Sequence, residues 1–217
     1  EKDFAQSEAL ATRQQLTAAL QRSEVNLERR VAERTEELEA ANARLRENER
    51  QLQALAHTDA LTGLANRLLF DARLQQSMQH ARRSQGRIAL LLGDLDHFKA
   101  VNDIYGHAIG DEVLRVAAGR LRATVREVDT VARLGDDQFA IVLSGLGSGA
   151  DAEQMAKKLV TNLGQPMRVL GMPLEISLSL GVALFSSGDL SPADLMRRAE
   201  QAMATAKQAG RACYRVF

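Results

Sequence analysis

Glycine and proline are distributed unevenly along this chain of 217 residues. All 15 glycines and all three prolines lie at or after Gly63, and the first 62 residues contain neither. Because these two residue types interrupt helices more strongly than any others, a long stretch without them favours one continuous helix. We therefore divide the chain into an N-terminal helical segment, residues 1–57, and a globular domain, residues 58–217.

Apolar residues in the N-terminal segment recur at alternating intervals of three and four, which is the heptad spacing of a coiled coil. A helix of about 57 residues, at about 1.5 Å each, would be a rod of roughly 85 Å, too long and too polar to be stable alone. We expect a parallel homodimer that carries a signal; the alternative is a solvated single helix or an inert spacer. The apolar heptad positions are Leu20, Leu27, Val31, Leu38, Ala41, Leu45, Leu52 and Leu55, and Glu24, Arg34 and Asn48 interrupt them.

The charge balance excludes an overall field that would attract nucleic acid or an anionic membrane surface, since Lys plus Arg and Asp plus Glu both total 28. The single cysteine, Cys213, cannot form an intramolecular disulfide. No apolar run is long enough to span a bilayer, and no signal peptide is recognisable. We therefore expect a cytoplasmic location. The chain begins without methionine, so we also expect it to be part of a longer protein with an upstream sensor.

From Asp59 onward the pattern alternates between helix and strand periodicity. The resulting order α-β-α-β-β-α-β-α places hairpin strands between helical crossovers, which predicts a mixed, largely antiparallel sheet flanked by helices, an α+β fold. Helices are predicted at residues 67–83, 110–127, 151–163 and 191–210, and strands at 87–96, in a hairpin around 133–143, and at 174–185.

Several carboxylates lie where a buried strand ends, and such acids are costly unless they are paired or bound to a metal. If this strand lies beside the hairpin, Asp94 and Asp137 form an oxygen-rich site for Mg²⁺ of the kind that handles nucleotide phosphates. The alternative assigns Asp96 to a turn and Asp111 to the first turn of its helix. The polar residues that follow the strand are Asp94, Asp96, Lys99, Asn102 and Asp111.

Several stretches in this domain resemble, in order and spacing, the GGDEF family of diguanylate cyclases, which condense two GTP molecules into cyclic di-GMP. The resemblance covers residues 59–217 and implies a nucleotidyl-cyclase, palm-like α+β fold with Mg²⁺ as cofactor. The stretches are "DALTGLANR" (59–67), "DLDHFKAVNDIYGHAIGDEVL" (94–114), "REVD" (126–129), "RLGDDQF" (133–139), "SLGVA" (179–183) and "AKQAGR" (206–211).

The resemblance also implies which residues form the nucleotide site. An aspartate can accept hydrogen bonds from the N1–H and the exocyclic N2–H of guanine together, a pattern that adenine lacks. By resemblance, Asp94, Asp137 and the Leu95 carbonyl would hold the metal, Asn102 and Asp111 would recognise guanine, and Lys99, Lys207 and Arg211 would bind the triphosphate.

The "REVD" stretch matches the position of the family's inhibitory site for its own product. By that resemblance Arg126 would donate to the O6 and N7 edge of guanine and Asp129 would accept the remaining donors. The alternative is a surface salt bridge between the two residues. The C-terminal "GRACYRVF" resembles the junction after which many members continue into an EAL-type phosphodiesterase domain, so a downstream EAL domain is a further expectation.

The hairpin departs from the family signature Gly-Gly-Asp/Glu-Glu-Phe at two positions. Asp136 replaces a glycine that lets the backbone approach the nucleotide, and it adds bulk and negative charge. Gln138 replaces an acid with an amide that can neither supply charge to a second metal nor accept a proton. We expect a degenerate domain that binds GTP and/or cyclic di-GMP and has weak or no cyclase activity. An active cyclase and a purely structural dimerisation module are the alternatives. The corresponding residues here are Gly135, Asp136, Asp137, Gln138 and Phe139.

Overall fold

The computed structural model divides the chain into two compact units, Glu1–Gln53 and Ala54–Phe217. Within the first unit every described residue is helical. The predicted heptad positions Glu24, Leu52 and Leu55 lie outside the described part. The structure describes residues 17, 20, 26–27, 29–31, 33–46, 48, 56–186, 188 and 190–217.

Five of the apolar heptad residues are more than half exposed in the single chain. Their exposure ranges from 56% to 62%, whereas large apolar side chains in a folded domain are usually buried. An apolar stripe of this kind is available for packing against another helix, as the predicted dimer requires. The five residues are Leu20, Leu27, Val31, Leu38 and Leu45.

In its described part, after the helical residues 56–57, the second unit has five helices, a five-stranded sheet and a small hairpin. The helices are α1 (Arg67–Ser84), α2 (Phe98–Tyr105), α3 (His107–Thr124), α4 (Gly149–Leu163) and α5 (Pro192–Gln208). The strands are β1 (Ile88–Leu95), β2 (Thr130–Gly135), β3 (Gln138–Leu143), β4 (Met167–Val169), β5 (Met172–Leu174), β6 (Leu178–Phe185) and β7 (Tyr214–Val216).

The large sheet has the strand order β2-β3-β1-β6-β7, and only the β6–β7 pair is parallel. Strands β4 and β5 form a separate antiparallel hairpin. The predicted mixed, largely antiparallel sheet is therefore confirmed. Among the described helices, none combines the length and hydropathy needed to cross a bilayer.

Strand β1 is central in the sheet and is apolar on both faces because helices cover both sides. Its residues Ala89 and Leu91 pack in a cluster that contains residues of α3 and α4. Its residues Leu90 and Leu92 pack in a second cluster with residues of α1 and α5. Burying both faces explains why the strand is a continuous apolar run without polar alternation.

The structure corrects three predicted boundaries. The helix predicted at 110–127 instead begins at His107 and ends at Thr124, and the short helix α2 precedes it. Gly106, with φ of 84°, separates the two helices, and Gly110 lies within the second. The strand predicted at 174–185 begins at Leu178, because Leu174 ends the β4–β5 hairpin and residues 175–177 connect the hairpin to β6.

Candidate functional site

Two carboxylates meet where β1 ends beside the β2–β3 hairpin. Asp94 lies opposite Gln138 in the antiparallel register of β1 and β3. The backbone N–H of Leu95 donates to the carbonyl oxygen of Asp137 at 3.2 Å. The structure thus brings Asp94 and Asp137, which are 43 positions apart in sequence, to one edge of the sheet.

Charge is concentrated at this edge. Burial, and after it the neighbouring charge of Asp94, raises the pKa of Asp137 above its ordinary value. The ammonium of Lys207, near the end of α5, lies 2.7 Å from Asp94 Oδ1. Only 16% of the Asp94 side chain is exposed, so this ion pair is partly shielded from solvent. This edge of the sheet therefore carries two neighbouring acids, an arrangement that favours a bound cation.

The raised pKa of Asp137 predicts that Asp137→Asn stabilises the fold at pH 7. A carboxyl group whose pKa is higher in the folded than in the unfolded state favours folding at low pH, and this contribution is lost as pH rises through the folded-state pKa. We expect a higher melting temperature than wild type at pH 7, with the gap closing as pH falls below that pKa. Thermal unfolding across pH, with the exposed Asp71→Asn as control, measures this; an equal gap at all pH values would contradict it.

A cavity of about 400 Å³ opens beside the acids, between the hairpin tip and helices α2 and α3. It brings together the predicted guanine-binding pair, one predicted phosphate-binding lysine and the turn between β2 and β3. The residues that line it are Phe98, Lys99, Asn102, His107, Asp111, Leu114, Arg133, Asp136 and Asp137.

Asn102 and Asp111 reach the same cavity because the chain turns sharply between their helices. Asn102 lies on α2, and its backbone carbonyl oxygen accepts a hydrogen bond from Gly106 N–H at 2.9 Å. Asp111 is the fifth residue of α3, which begins at His107. The alternative that Asp111 only stabilises the first turn of its helix is therefore wrong.

Asp96 anchors the segment after α5. Its carboxylate is 4% exposed and accepts hydrogen bonds from the hydroxyls of Ser177 and Ser179, both at 2.6 Å, and from Ala212 N–H at 3.1 Å. These donors satisfy the buried charge without a metal. Asp96 lies in the turn that the alternative assigned to it. It holds the backbone next to Arg211, whose exposed side chain does not line the cavity.

Arg133 ties the hairpin tip to the start of the domain. One guanidinium nitrogen contacts both carboxylate oxygens of Asp59 at 3.1 and 3.2 Å. Two others donate to the carbonyl oxygen of Asp136 at 3.2 and 2.8 Å. Burial acts to raise the pKa of Asp59, but hydrogen bonds from Thr62 and Arg133 hold it below the ordinary value. Arg133 was not predicted as a site residue.

The predicted product-binding pair is arranged unequally. Asp129 is 4% exposed, and its two carboxylate oxygens accept from the backbone N–H groups of Arg126 and Ser144, both at 3.1 Å. Arg126 is exposed. The Asp129 carboxylate contacts the backbone N–H of Arg126 and not its guanidinium, so the pair does not form the surface salt bridge of the alternative. Asp129 fixes the turn before β2, and the Arg126 guanidinium faces solvent.

The acid pair fits a magnesium ion better than a transition metal. Within the part of the chain that the structure describes, no group of three or more His, Cys, Asp or Glu side chains is arranged to hold a metal. Mg²⁺ commonly binds through one or two carboxylates and completes its shell with water and substrate phosphates. Asp94 and Asp137 provide that donor set, with no histidine or cysteine nitrogen or sulfur required.

Comparison with known proteins gives one consistent family. Residues 56–213 match the diguanylate cyclase GGDEF domain. The chain is 41% identical over 182 residues to diguanylate cyclase TpbB of Pseudomonas aeruginosa, covering 83% of this chain and 42% of that protein. It is 44% identical over 191 residues to the bifunctional diguanylate cyclase/cyclic di-GMP phosphodiesterase MucR of the same organism, covering 88% of this chain and 27% of that protein. The chain thus spans less than half the length of either relative.

A solved structure matches across both units of the chain's sequence. It is the coiled coil and GGDEF domain of DgcB from Caulobacter crescentus in complex with c-di-GMP, with a TM-score of 0.78 and 30% identity. The match covers 88% of this chain and 99% of that one.

Proposed function

Because the chain belongs to the GGDEF family of diguanylate cyclase domains, we propose that it is a degenerate member that binds GTP or cyclic di-GMP and turns GTP over weakly or not at all. Membership places it in cyclic di-GMP signalling. One observation carries the proposal: the cavity keeps Asn102, Asp111 and Lys99, while Gln138 lies opposite Asp94 where the family has an acid.

Guanine recognition is assigned to Asn102 and Asp111, which line the same cavity from two helices. Asp111 would accept the N1–H and N2–H donors of the base, and the Asn102 side chain would pair with a further polar atom. Adenine presents no such pair of donors, so this arrangement would select guanine by leaving Asp111 unsatisfied with the wrong base.

Phosphate and metal binding are assigned to the sheet edge beside the cavity, where Asp94 and Asp137 meet. Asp94 and Asp137, with the Leu95 carbonyl, would hold Mg²⁺, which supplies positive charge to the phosphate oxygens of a bound nucleotide. Lys207 already lies at Asp94, and Lys99 lines the cavity. We assign both lysines, together with Arg211 on the following turn, to the triphosphate.

Weak turnover follows from the two altered positions. Gln138 brings no charge to the metal side of the pocket and cannot accept the proton of an attacking hydroxyl. Asp136 lines the cavity and adds a carboxylate where a polyphosphate would lie. Because phosphoryl transfer relies mainly on positioning and charge, losing one acid and adding a misplaced one raises the barrier more than it weakens base recognition.

The direct test is incubation of the protein with GTP and Mg²⁺, followed by chromatographic separation of nucleotides. We expect GTP to bind with little cyclic di-GMP formed. Sustained production of cyclic di-GMP would contradict the proposal and favour the active-cyclase alternative.

Calorimetric titration with GTP and with cyclic di-GMP separates binding from a purely structural role. We expect heat from at least one ligand with the wild-type protein. Since the Arg126 guanidinium is exposed and the Asp129 carboxylate is held by backbone groups, Arg126→Ala should weaken cyclic di-GMP binding without unfolding the domain. No heat with either ligand would favour the dimerisation module.

We also assign the N-terminal helix to a parallel coiled-coil dimer, and the DgcB structure, which contains a coiled coil, supports this. Catalysis or signalling between two copies would then benefit from the high effective concentration that a shared coil creates. The polar interruptions Arg34 and Asn48 would weaken the coil locally and permit a change of register.

Replacing Leu38 and Leu45 together by glutamate is expected to turn the dimer into a monomer, because two charges per helix would face each other in the apolar interface. Sedimentation velocity of the full chain measures this. The matched control is Ala40→Glu with Ala43→Glu, which adds the same charge away from the heptad positions. Equal dissociation in both variants, or a wild-type monomer, would contradict the assignment.

An upstream sensor, a downstream EAL domain and a cytoplasmic location stay predictions. The bifunctional relative MucR combines cyclase and phosphodiesterase in its name, which supports looking for an EAL domain in the full-length protein.

A further inference from the structure

Gly110 lies inside α3, directly beneath the side chain of Asn102. A Cβ atom added at Gly110 would overlap Asn102 Oδ1 and would lie 2.9 Å from its Cγ. Phe98 closes the other side, with its Cζ at 3.3 Å from the same position. The amide of Asn102 therefore occupies the space that any other residue at position 110 would fill.

The backbone does not explain why glycine stands here. Gly110 has none of the positive φ values that mark Gly63, Gly106 and Gly135. Glycine in a helix interior is unfavourable relative to alanine, since it loses more conformational freedom on folding. A glycine in this place is therefore explained by the space it leaves for the Asn102 side chain.

Asn102 is held from two directions. Its backbone carbonyl oxygen accepts a hydrogen bond from Gly106 N–H at 2.9 Å, which fixes the last turn of α2. Its side chain lies against the bare Cα of Gly110, one position before Asp111. Pushing the amide away would move it relative to Asp111 while leaving Asp111 on its own helix.

We propose that Gly110 is a positioning residue for base selection: by leaving room over α3 it lets the Asn102 amide lie in the cavity that Asp111 also lines. This inference rests on the proposed function, in which Asn102 and Asp111 recognise the base. Gly110 itself offers no side chain to the ligand and acts only through Asn102.

The test measures affinity for GTP and for ATP in Gly110→Ala, using calorimetry with the full chain. We expect GTP affinity to fall at least about tenfold and ATP affinity to stay within about twofold, because phosphate contacts are not altered. The matched control is Gly119→Ala on the same helix, where an added Cβ meets no atom within 4 Å. An unchanged GTP-to-ATP preference in Gly110→Ala would overturn the inference.

A double variant separates positioning from general damage. In the Asn102→Ala background the side-chain amide that Cβ would strike is gone, so Gly110→Ala should weaken GTP binding no further. The decrease in melting temperature caused by Gly110→Ala should also be much smaller when it is added to Asn102→Ala. This comparison provides a readout even if the single variant folds poorly. Additive losses in binding and in melting temperature would overturn the inference.

The same set distinguishes failure of the inference from failure of the proposed function. If Asn102→Ala alone leaves GTP affinity unchanged, base recognition by Asn102 is wrong and so is the role of Gly110. If Asn102→Ala weakens GTP binding but Gly110→Ala does not, only the inference fails.

Discussion

Cyclic di-GMP formation is expected to rise by about two orders of magnitude when Asp136 is replaced by glycine and Gln138 by glutamate in the same chain, a gain equivalent to about 2.7 kcal/mol of activation barrier. The strand register supplies the reason for position 138. Gln138 lies directly opposite Asp94, and residues so paired in antiparallel strands have their Cβ atoms about 5 Å apart on one face of the sheet. A glutamate there would place a carboxylate beside Asp94.

Position 136 contributes through its backbone and its charge. Asp136 has φ of 27°, in the left-handed region where a side chain costs about 1 kcal/mol relative to glycine. Arg133 holds this conformation by donating to the Asp136 carbonyl oxygen at 2.8 Å. Glycine would relieve the strain, keep the Arg133 contact and remove a carboxylate from the cavity.

The measurement is the steady-state rate of cyclic di-GMP formation over a range of GTP concentrations, at saturating Mg²⁺, in wild type, both single variants and the double variant. Gln138→Glu should contribute mainly to kcat, and Asp136→Gly mainly to the affinity for GTP. Adding Asp94→Asn to the restored chain is the control, since it should abolish the gain. A double variant as inactive as wild type would mean that the defect lies outside the hairpin.

Local sequence periodicity was sufficient for the elements with strong signals. The apolar run of β1 and the capped helix α5 were predicted nearly to the residue, because burial on both faces and Pro192 at a helix start leave clear patterns. The short helix α2 was missed because it has only eight residues, fewer than the span over which helical periodicity can be told from other patterns. Strand β7 was missed because its three residues become a strand only by pairing with β6.

The site divides in the same way. The meeting of Asp94 and Asp137 was predicted from the expected sheet alone. That Asn102 and Asp111 belong to one nucleotide site was expected only through the family resemblance. The roles of Arg133 and Gly110 were not predicted, since each depends on a contact made only in three dimensions. Arg133 pairs with Asp59, which is 74 positions away in sequence, and no local sequence pattern predicts such a pair.

Close packing between β6 and α5 leads to the second large effect, which concerns Gly181. An added Cβ at this residue would overlap the carbonyl oxygen of Ala199 and the amide nitrogen of Met203, both backbone atoms of α5. The strand cannot move aside, because Gly181 is paired with Leu92 of β1 and with Arg215 of β7. Helix and strand would have to separate over their whole contact.

Gly181→Ala is therefore expected to lower the free energy of unfolding by at least about 3 kcal/mol, which corresponds to a drop of roughly 10 °C in melting temperature for a domain of this size. The displaced α5 would also carry Lys207 away from Asp94, now 2.7 Å distant, so nucleotide binding should weaken in any variant that still folds. Scanning calorimetry of the full chain measures the first effect.

Two further glycines make this a graded test of what the added methyl group meets. At Gly93 the nearest atoms belong to the side chains of Leu178 and Leu180, which can shift, so Gly93→Ala should cost about 1 kcal/mol. At Gly119 it meets nothing within 4 Å, and alanine should stabilise α3 by roughly 0.5 to 1 kcal/mol. The melting temperatures should then rank Gly119→Ala above wild type, Gly93→Ala below it and Gly181→Ala lowest. A Gly181→Ala protein that melts at or above the Gly93→Ala temperature would show that α5 does not rest directly on β6, and the position of Lys207 would lose its structural support.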